Sequence, residues 1–476
     1  MIRLITDTPG FFNDIGEVIR LFLGNVTIKQ DEGKTIYRHT HHQQDGEWVE
    51  RFQVDEGEWV EYRSPVVHGD LLEKRMLKRA VKTCCFLLMQ KQTGVCPPWG
   101  SLTGIRPTRL MYELTDSGLS IPEAAHQLQK NFYVSPEKAE LLSEILMMQR
   151  GLIERPEHEF DLYLGIPFCT TRCAYCSFSS GELGNGKLVE PYVQALLREI
   201  ELCAQMIEER GLRVRAAYMG GGTPTAIPAK ALDRILESAQ RHFPGAREWT
   251  VEAGRPDTID QEKLRVMLDR GIQRISVNPQ TFSDATLQRI GRAHTSEDTL
   301  HAYELARSMG FGHINMDLIA ALPGEQTEDF QATLEKVIAL NPESVTVHSL
   351  AIKRSSRLHE QSYTQCSGQT AAEMVDMARR LLMNHGWKPY YLYRQKYMAG
   401  NLENVGYAKP GCACLYNIDI MEETTPILAL GANGITKWLY DRERRIERAP
   451  NVRNIEQYIE RVDEMAERKR KLIFSE

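Results

Sequence analysis

Short apolar runs alternate with amphipathic stretches from about residue 160 to residue 350. Runs of this length are typical of buried strands, and the apolar residues between them recur at helical spacing, most clearly over 188–203, 232–239 and 334–338. The predicted strands are DLYLGI (161–166), RAAYMG (215–220), WTVEA (249–253), IQRISV (272–277), HINMDLI (313–319) and SVTVHSL (344–350). Alternating strands and helices predict a parallel sheet in an α/β fold. Six such units favour a partial (β/α)6 barrel over a closed eight-stranded one.

The pattern changes on both sides of this region. Residues 1–155 are predicted to form an added N-terminal α+β domain, with a possible βα unit, a pair of hairpins within 38–63, and helices around 70–92, 107–116, 121–131 and 136–151. Pro156, in the charged stretch ERPEHE, marks the expected boundary with the barrel of residues 156–352. Residues 353–476 are predicted to form a C-terminal α+β region that covers the substrate.

This C-terminal region is expected to combine a helix over 370–385 with Tyr- and Gly-rich loops up to about residue 440. The chain then closes with an amphipathic helix, IEQYIERVDEMAERKRKL. The apolar side of that helix consists of Ile455, Tyr458, Ile459, Val462 and Met465.

Composition narrows the class of protein. The chain has 476 residues, of which 42% are hydrophobic and 26% charged, as in ordinary globular proteins. Its net charge of −6 gives no overall basic surface for nucleic acid. No apolar run approaches the roughly 18 residues of a membrane span, and the first residues lack a signal-peptide core, so a cytoplasmic protein is expected. In such a protein, closely spaced cysteines more often bind metal or perform chemistry than form disulfides.

Three cysteines stand close together in GIPFCTTRCAYCSFSS, with the spacing C-x3-C-x2-C. Cys169, Cys173 and Cys176 directly follow the first predicted barrel strand, and the active sites of parallel barrels lie at that end of the strands. Three thiolates can hold three irons of a [4Fe–4S] cluster and leave the fourth iron open to another ligand. The alternatives are a zinc site, for which no fourth ligand stands nearby, or chance spacing.

Polar residues and glycines recur at the ends of the later strands. The second strand ends in GGGT (220–223), and glycines allow backbone amides to approach a ligand closely. Glu252, Gln280 and Asp317 lie on or beside later strands, where carboxylates suit an ammonium group and ribose hydroxyls. Alone, the glycine segment is equally compatible with an ordinary tight turn, and each polar residue is more often a solvated or capping residue. Their repetition at successive strand ends favours a ligand site.

Several motifs together resemble the oxygen-independent coproporphyrinogen III oxidases, a family of radical S-adenosylmethionine (SAM) enzymes. The motifs are LYLGIPFCTTRCAYCSF, GGGTPT, VEAGRPD, SVNPQTF, LQRIGRAHT and NMDLIAALPGE, within a match of roughly residues 160–440. The N-terminal region and the segment ENVGYAKPGCACLYNIDIMEE are similar to the HemZ branch of that family. The resemblance implies a [4Fe–4S] cluster, two SAM molecules, a tetrapyrrole substrate, and an electron donor such as flavodoxin or ferredoxin.

The resemblance also implies roles for individual residues. Cys169, Cys173 and Cys176 would bind the cluster, and Tyr163 and Glu252 become the candidate catalytic residues. Gly221 and Glu252 would hold the first SAM, with Tyr163 as a SAM contact and Ile435 in LGANGIT as a late apolar contact. The second SAM position would be lined by Tyr175, Gly222, Thr223, Gln280, Arg292 and Asp317.

Two positions differ from the typical enzyme of this family. Gly165 stands where that enzyme has a histidine, and Phe178 stands where it has a further cysteine. The sequence therefore fits radical SAM chemistry more closely than it fits coproporphyrinogen as substrate. The implied reaction converts two propionates to vinyl groups, giving protoporphyrinogen IX. Two other functions stay open: a heme chaperone of the same superfamily, and a radical SAM methyltransferase that acts on heme.

Two polar or aromatic stretches have more than one interpretation. The segment PYYLYRQKYMAG could supply an aromatic cleft with cations at its rim, or core and surface residues of the C-terminal region. The residues concerned are Tyr390, Tyr391, Tyr393, Arg394, Lys396 and Tyr397. The run HTHH (39–42) could be a metal site, but a solvated loop is favoured because no other type of ligand accompanies it.

Overall fold

The computed structural model describes residues 1–24, 26–104, 106–153, 157–177, 180–353, 355–361, 363, 366–395, 398–440 and 445–475. The chain divides into two compact units, one of residues 1–143 with 400–402 and one of residues 144–399 with 403–476. The predicted three-part division, with boundaries after residues 155 and 352, stays a prediction. Pro156, which marks the first of these boundaries in the sequence, lies outside the described residues.

The first unit contains a twisted sheet with the strand order β2-β1-β3-β4-β5. Its strands are β1 (Ile2–Thr6), β2 (Ile28–Lys29), β3 (Thr35–Gln44), β4 (Glu47–Val54) and β5 (Val60–Pro65). Strand β1 pairs in parallel with β2 and β3, whereas β3, β4 and β5 pair antiparallel, as the predicted pair of hairpins requires.

Helices complete this unit near the predicted positions. They are α1 (Phe12–Leu23), α2 (Asp70–Thr93), α3 (Pro107–Asp116), α4 (Ile121–Phe132) and α5 (Pro136–Gln149), the last of which continues into the second unit. Helix α4 begins with a capping box, in which Ser120 and Glu123 satisfy each other's backbone amides. Cys84 and Cys85 on α2 are fully buried in the core, as their apolar surroundings predict.

The expected solvated loop at HTHH is wrong, because these residues belong to β3. His39 is 1% exposed and its Nε2 lies 2.9 Å from Glu50 Oε2, while His41 Nδ1 lies 2.8 Å from the other oxygen of that carboxylate. Glu50 comes from the neighbouring strand β4. The pairing of β3 with β4 therefore supplies Glu50 as the partner of both histidines, and this allows His39 to be buried. The HTHH sequence alone does not reveal this partner.

The second unit contains the predicted parallel strands. They are β6 (Glu159–Ile166), β9 (Arg213–Gly221), β10 (Glu248–Gly254), β11 (Arg274–Val277), β12 (His313–Ala320) and β13 (Ser344–Ser349). Each pairs in parallel with the next in this order, which gives the partial (β/α)6 barrel. Two short strands, β7 (Phe168–Cys169) and β8 (Gly181–Glu182), pair with each other just beyond β6.

Helices connect these strands and lie along the outside of the sheet. They are α6 (Val189–Glu209), α7 (Ala229–His242), α8 (Gln261–Asp269), α9 (Asp284–Arg289), α10 (Ser296–Met309), α11 (Thr327–Leu340), α12 (Arg357–Glu360) and α13 (Gly368–Asn384). Helix α6 buries the apolar stripe predicted from the sequence, including Tyr192, Leu196 and Cys203. Helices α6, α7 and α11 confirm the three stretches of helical spacing.

The C-terminal part of the chain extends the same sheet at both edges. Strands β14 (Lys388–Tyr393) and β15 (Asn404–Ala408) add antiparallel strands beyond β13, while β16 (Ile427–Leu430) pairs in parallel with β6. Strands β17 (Ile435–Tyr440) and β18 (Arg445–Pro450) follow β16 in antiparallel pairing. The predicted loops are wrong here, because the hydrogen-bonding partners of these short segments are distant in sequence.

Three helices complete the C-terminal part: α14 (Leu415–Glu422), α15 (Ile455–Glu460) and α16 (Val462–Ile473). The predicted single final helix is divided at Arg461, whose backbone leaves the helical region at φ −117° and ψ 23°. Tyr458 and Met465 are fully buried, as the apolar stripe predicts. No helix among the described residues is long and apolar enough to cross a membrane.

Candidate functional site

The cysteine loop lies at the carboxyl end of β6. Cys169 ends the short strand β7, and the Cys169 carbonyl accepts a hydrogen bond of 2.7 Å from the amide of Leu183. Cys173 is 8% exposed, and its carbonyl accepts a bond of 3.1 Å from the amide of Cys176. The amides of Ala174 and Leu358 tie the loop to the end of α9 and to α12. All three cysteines are therefore fixed on one short, anchored segment.

The glycine-rich end of β9 lies directly against this loop. The amide of Gly222 donates to Ile166 O at 2.7 Å, and the amide of Thr223 donates to Phe168 O at 2.7 Å. A Cβ atom at Gly222 would lie 2.5 Å from Phe168 O and 3.0 Å from Cys169 Sγ. Only glycine leaves the necessary space, so the GGGT segment is part of the wall around the first thiol.

The donor set of this loop fits an iron–sulfur cluster. Thiolates are the usual protein ligands of such clusters, and each thiolate binds a different iron, so three sulfurs need not converge on one point. Among the described residues, no group of three or more His, Cys, Asp or Glu side chains is arranged to hold a single metal ion. The Arg255 guanidinium lies close by, with Nη1 3.7 Å from Cys173 Sγ.

Tyr163 and Gly165 project from β6 at the same edge. The Tyr163 hydroxyl would lie 3.4 Å from a Cβ at Gly221, whose φ of +112° requires glycine. The backbone of residues 430–432 closes around Gly165, where a Cβ would lie 3.3 Å from both Leu430 O and Ala432 O. A histidine at Gly165, as in the typical coproporphyrinogen oxidase, would have to displace this backbone.

Glu252 faces the same edge from β10. Its Oε2 would lie 2.7 Å from a Cβ at Gly220, and the amide of Gly221 donates to its carboxylate. Burial and the nearby charge of Asp317 raise the pKa of Glu252 to about 8, against the opposing effects of the Gly221 amide and Arg292. A buried carboxyl group that gives up its proton near neutral pH is well suited to bind a cationic ligand.

Asp317 and Gln280 lie on the next strands of the barrel. The Asp317 carboxylate accepts bonds of 2.8 Å from Asn278 and 2.7 Å from Asn315. Burial alone would raise the pKa of Asp317, but its contact with His348 and its hydrogen bonds lower it below its ordinary value. Gln280 is 6% exposed, and its φ of +66° is unusual for a residue with a side chain. Its backbone is held in place by Asp317 O and the amide of Ile319.

Arg292 carries unused hydrogen-bond donors. Its Nη2 donates to the Tyr175 hydroxyl at 3.1 Å, while its buried Nε and Nη1 find no partner among the described residues. Buried guanidinium groups are normally saturated with hydrogen bonds, and an unsatisfied donor costs about 1–3 kcal/mol. The two donors are thus available to an acceptor such as a carboxylate or a ribose oxygen, and Tyr175 and Arg292 are brought together as expected.

Sequence reasoning missed the residues that support the cysteine loop. Arg255 donates to Thr171 O at 3.1 Å and to the Thr171 hydroxyl, and it pairs with Asp257, which accepts a bond of 2.9 Å from Thr170. The nearby His294 ring, whose Nδ1 lies 3.7 Å away, and hydrogen bonds from Arg255 and Thr170 lower the pKa of Asp257 against the effect of its burial. Arg255 and Asp257 directly follow β10, so the strand-end criterion that identified Glu252 also points to them.

Other predicted residues are placed elsewhere. Ile435 begins β17, is 45% exposed, and lies two strands away from β6. Tyr390 and Tyr391 are buried in an apolar core cluster, which favours the structural interpretation of the PYYLY segment for these two residues. Phe178, Lys396 and Tyr397 lie outside the described residues.

The chain is similar to known proteins in sequence and in fold. Residues 163–337 match the sequence model of the Radical SAM superfamily. The chain is 39% identical over 416 residues to the oxygen-independent coproporphyrinogen-III oxidase-like protein HemZ of Bacillus subtilis (strain 168), a match that covers 85% of this chain and 83% of that protein. It is 28% identical over 260 residues to the heme chaperone HemW of Escherichia coli (strain K12), covering 54% of this chain and 65% of HemW.

The solved structure of coproporphyrinogen III oxidase (HemN) from Escherichia coli has the same fold. It superposes with a TM-score of 0.53 at 22% identity, over 67% of this chain and 72% of HemN. The radical SAM fold predicted from the sequence is thereby confirmed. Together with the HemZ match over most of both sequences, these findings show that the chain belongs to the HemZ family of coproporphyrinogen-III oxidase-like proteins within the Radical SAM superfamily.

Proposed function

We propose that this protein catalyses the oxygen-independent oxidative decarboxylation of coproporphyrinogen III to protoporphyrinogen IX. The observation that carries the proposal is the meeting of the cysteine loop, the glycines of β9 and the titratable Glu252 at one edge of a radical SAM barrel. The similarity to HemZ and to coproporphyrinogen oxidases supports tetrapyrrole chemistry as the use of that edge.

Cys169, Cys173 and Cys176 would hold a [4Fe–4S] cluster with one iron open to SAM. When bound and reduced, the cluster and SAM supply a 5′-deoxyadenosyl radical that removes a hydrogen atom from the β-carbon of a propionate side chain. Loss of CO2 and transfer of one electron to an acceptor then leave a vinyl group. The reducing electron would come from a donor such as flavodoxin or ferredoxin.

The residues around the loop would bind and orient the first SAM. Glu252 would accept its ammonium group, Gly221 would allow close backbone approach, and Tyr163 would contact the ligand from β6. Arg255 would hold the cysteine loop in position through its contacts with Thr171 and Cys173. Ile435 is proposed as a further apolar contact.

A second SAM position would follow the neighbouring strands. Its proposed residues are Tyr175, Gly222, Thr223, Gln280, Arg292 and Asp317. The two unsatisfied donors of Arg292 support this assignment, because they await an acceptor that the chain does not provide among its described residues. The Asp317 carboxylate, held by Asn278 and Asn315, suits ribose hydroxyls.

A heme chaperone is the second candidate function. It is favoured by the 28% identity to HemW and by Gly165, which stands in place of the histidine of the typical decarboxylase and packs tightly against residues 430–432. Against it, the His-Asn and Tyr-Trp motif of the chaperones is not seen in the sequence, where NLENVGYAKPG stands instead. A methyltransferase acting on heme has no specific contact in its favour.

An anaerobic assay of the reconstituted, reduced protein separates these functions. With coproporphyrinogen III and SAM, we expect CO2, 5′-deoxyadenosine and protoporphyrinogen IX. The Cys169→Ala variant should form none of these products, whereas Cys96→Ala, which removes an exposed thiol elsewhere, should retain full activity. Heme binding with coproporphyrinogen left unchanged would assign the chaperone function. Release of S-adenosylhomocysteine would instead assign methyl transfer.

A further inference from the structure

A basic cavity lies in the first unit, beside helix α2. One stripe of this helix carries Lys74, Arg75, Lys78, Arg79 and Lys82, whose spacing places them on one face. They line a cavity of about 380 Å³, within the range of small-molecule sites in proteins. Lys74, Lys78 and Lys82 are separated by four residues each, or about 6 Å along the helix. The cavity is therefore bordered by a regular row of positive charges.

The opposite wall consists of the loop 100–104, with the sequence GSLTG, and of Phe132. Gly100 has a φ of +53°, and a Cβ there would lie 1.9 Å from Phe132 O, so only glycine fits. The amide of Ser101 donates to the same carbonyl at 2.8 Å. These contacts fix the loop against the end of α4 and give the cavity a preformed polar wall.

The contacts of these cations differ along the row. Arg75 pairs with Glu113, and Lys78 Nζ lies 3.3 Å from Asp14. Lys82 donates to the Thr103 hydroxyl, which leaves the hydroxyl hydrogen of Thr103 available to a ligand. Arg79 stacks over the Phe132 ring at 5.4 Å, and Lys74 has no ion-pair partner among the described residues. The pKa of Arg79 is lowered by burial and by the charge of Arg75. Bringing an anion into the cavity would relieve this repulsion.

We propose that this cavity binds a small ligand with two or more phosphate groups. A phosphate offers several oxygens to lysines, arginines and hydroxyls at once, and successive phosphates can follow a row of cations. A long nucleic acid is disfavoured, because the cavity is walled on two sides and the whole chain has a net charge of −6. Neither the HemZ similarity nor the thiol loop assigns a ligand to this unit. The site is independent of the reaction proposed above.

The test measures binding of tripolyphosphate, ATP, citrate and a single-stranded oligouridylate to the full-length protein by isothermal titration calorimetry. The site variant is Lys74→Gln with Lys78→Gln, two partly exposed side chains whose replacement should leave the fold intact. The matched control is Lys29→Gln with Lys91→Gln, which removes the same charge from the same unit at lysines paired with Glu32 and Glu58. Circular dichroism checks that both variants are folded.

We expect tripolyphosphate and ATP to bind, citrate to bind more weakly, and the site variant to lose about tenfold in affinity while the control loses less than twofold. Tighter binding of ATP than of tripolyphosphate would identify a nucleotide site, and the reverse an inorganic polyphosphate site. The proposal is overturned if none of these ligands binds, if citrate or oligouridylate binds as tightly as tripolyphosphate, or if both variants weaken binding equally.

Discussion

Both ends of the barrel contain buried charged groups, but the partners of these groups differ between the two ends. At the amino ends of the strands, Arg215 Nε donates to Asp419 Oδ2 at 2.8 Å, and Arg274 lies 3.6 Å from Glu248. At the carboxyl ends, Glu252 has no cation in hydrogen-bonding contact among the described residues, and two donors of Arg292 are unsatisfied. The amino end therefore pairs these charges, whereas the carboxyl end combines the ion pair of Arg255 and Asp257 with donors of Arg292 that find no partner among the described residues.

The contacts of the charged groups at the amino end, here called the seam, join different parts of the chain. Helix α14 and the residues before it bring Asp419 to Arg215, the Cys412 carbonyl to Arg274, and the Leu415 amide to Glu248. These contacts connect the amino ends of β9, β10 and β11 to the C-terminal part of the chain. Asp161 is the exception, since burial and the charge of Asp419 raise its pKa well above its ordinary value and favour its neutral form. Arg215 also lies 3.7 Å from Glu159 and donates to Leu152 O at 2.8 Å.

The contrast separates charges that hold the fold from charges that await a ligand. A protein can bury an ion pair when its own chain supplies both partners, but an unpaired buried group is costly and persists where a ligand completes it. Burial alone does not distinguish the two ends, because both contain buried charged groups. The two ends differ in whether each buried charged group contacts a group of opposite charge. Replacing one such group at a time tests the importance of this difference.

The largest effect is expected at the cysteine loop. Cys169→Ala should abolish cluster binding and SAM cleavage, because only two protein thiolates would remain for the cluster. Iron and sulfide content, the electron paramagnetic resonance spectrum and 5′-deoxyadenosine release measure this loss. At the other end of the barrel, Cys414→Ser keeps a donor to Glu248 and should retain the cluster. Full iron content in the Cys169→Ala variant would contradict the proposed role of Cys169 as a cluster ligand.

The next effect is on stability at the amino end. Asp419→Asn should lower the free energy of unfolding by about 3 kcal/mol, because it removes the carboxylate that accepts from Nε of the 1%-exposed Arg215 and leaves the more distant carboxylate of Glu159, at 3.7 Å. Denaturant unfolding of the variant and the parent protein measures the difference. In the exposed pair of Arg198 and Asp463, the change Asp463→Asn should cost less than about 1 kcal/mol. Equal losses in the two variants would contradict a structural role for the seam.

A smaller effect is expected from the titration of Glu252. Its carboxyl group must lose a proton to pair with the ammonium of SAM, an α-amino group that itself loses its charge near pH 8, so affinity should rise with pH up to about 8, where the pKa of Glu252 also lies. The gain between about pH 6 and pH 8 should be at least about tenfold, because the ionised fraction of Glu252 rises much faster than that of the ammonium falls. Asp317 and Arg292 keep their charges over this range. Equilibrium dialysis of the cluster-loaded protein measures the profile, and Glu252→Gln should bind weakly and without this dependence on pH.

The smallest effect concerns the packing of β6. Gly165→Ala should destabilise the protein by about 1 kcal/mol, because the added methyl group presses on the backbone carbonyls of Leu430 and Ala432. Gly312→Ala, at a position where a Cβ meets nothing within 4 Å, should be neutral or slightly stabilising. Thermal unfolding of both variants checks the expectation. A stable Gly165→Ala protein would show that residues 430–432 can yield, and that a histidine could be accepted there.

Much of the site could be predicted because its chemistry is local in sequence. The spacing of Cys169, Cys173 and Cys176 lies within one loop, and the GGGT turn needs no distant partner to be recognised. Arg255 was missed although it follows β10 directly, because its function depends on Thr171 and Cys173 across the barrel edge. The buried pair of His39 and Glu50 was taken for a solvated loop for the same reason: the partner stands on another strand.

The sequence by itself determined the alternation of strands and helices, and hence the parallel barrel, because burial on both faces requires continuous apolar runs that are visible in any single stretch. It also determined which thiols stand together. Only the tertiary structure decided which charges are paired, that the C-terminal segments add strands to both edges of the sheet, and that Gly165 is enclosed by residues 430–432. These three features depend on contacts between residues that are far apart in the chain. A local pattern of residues does not determine the free energies of such contacts.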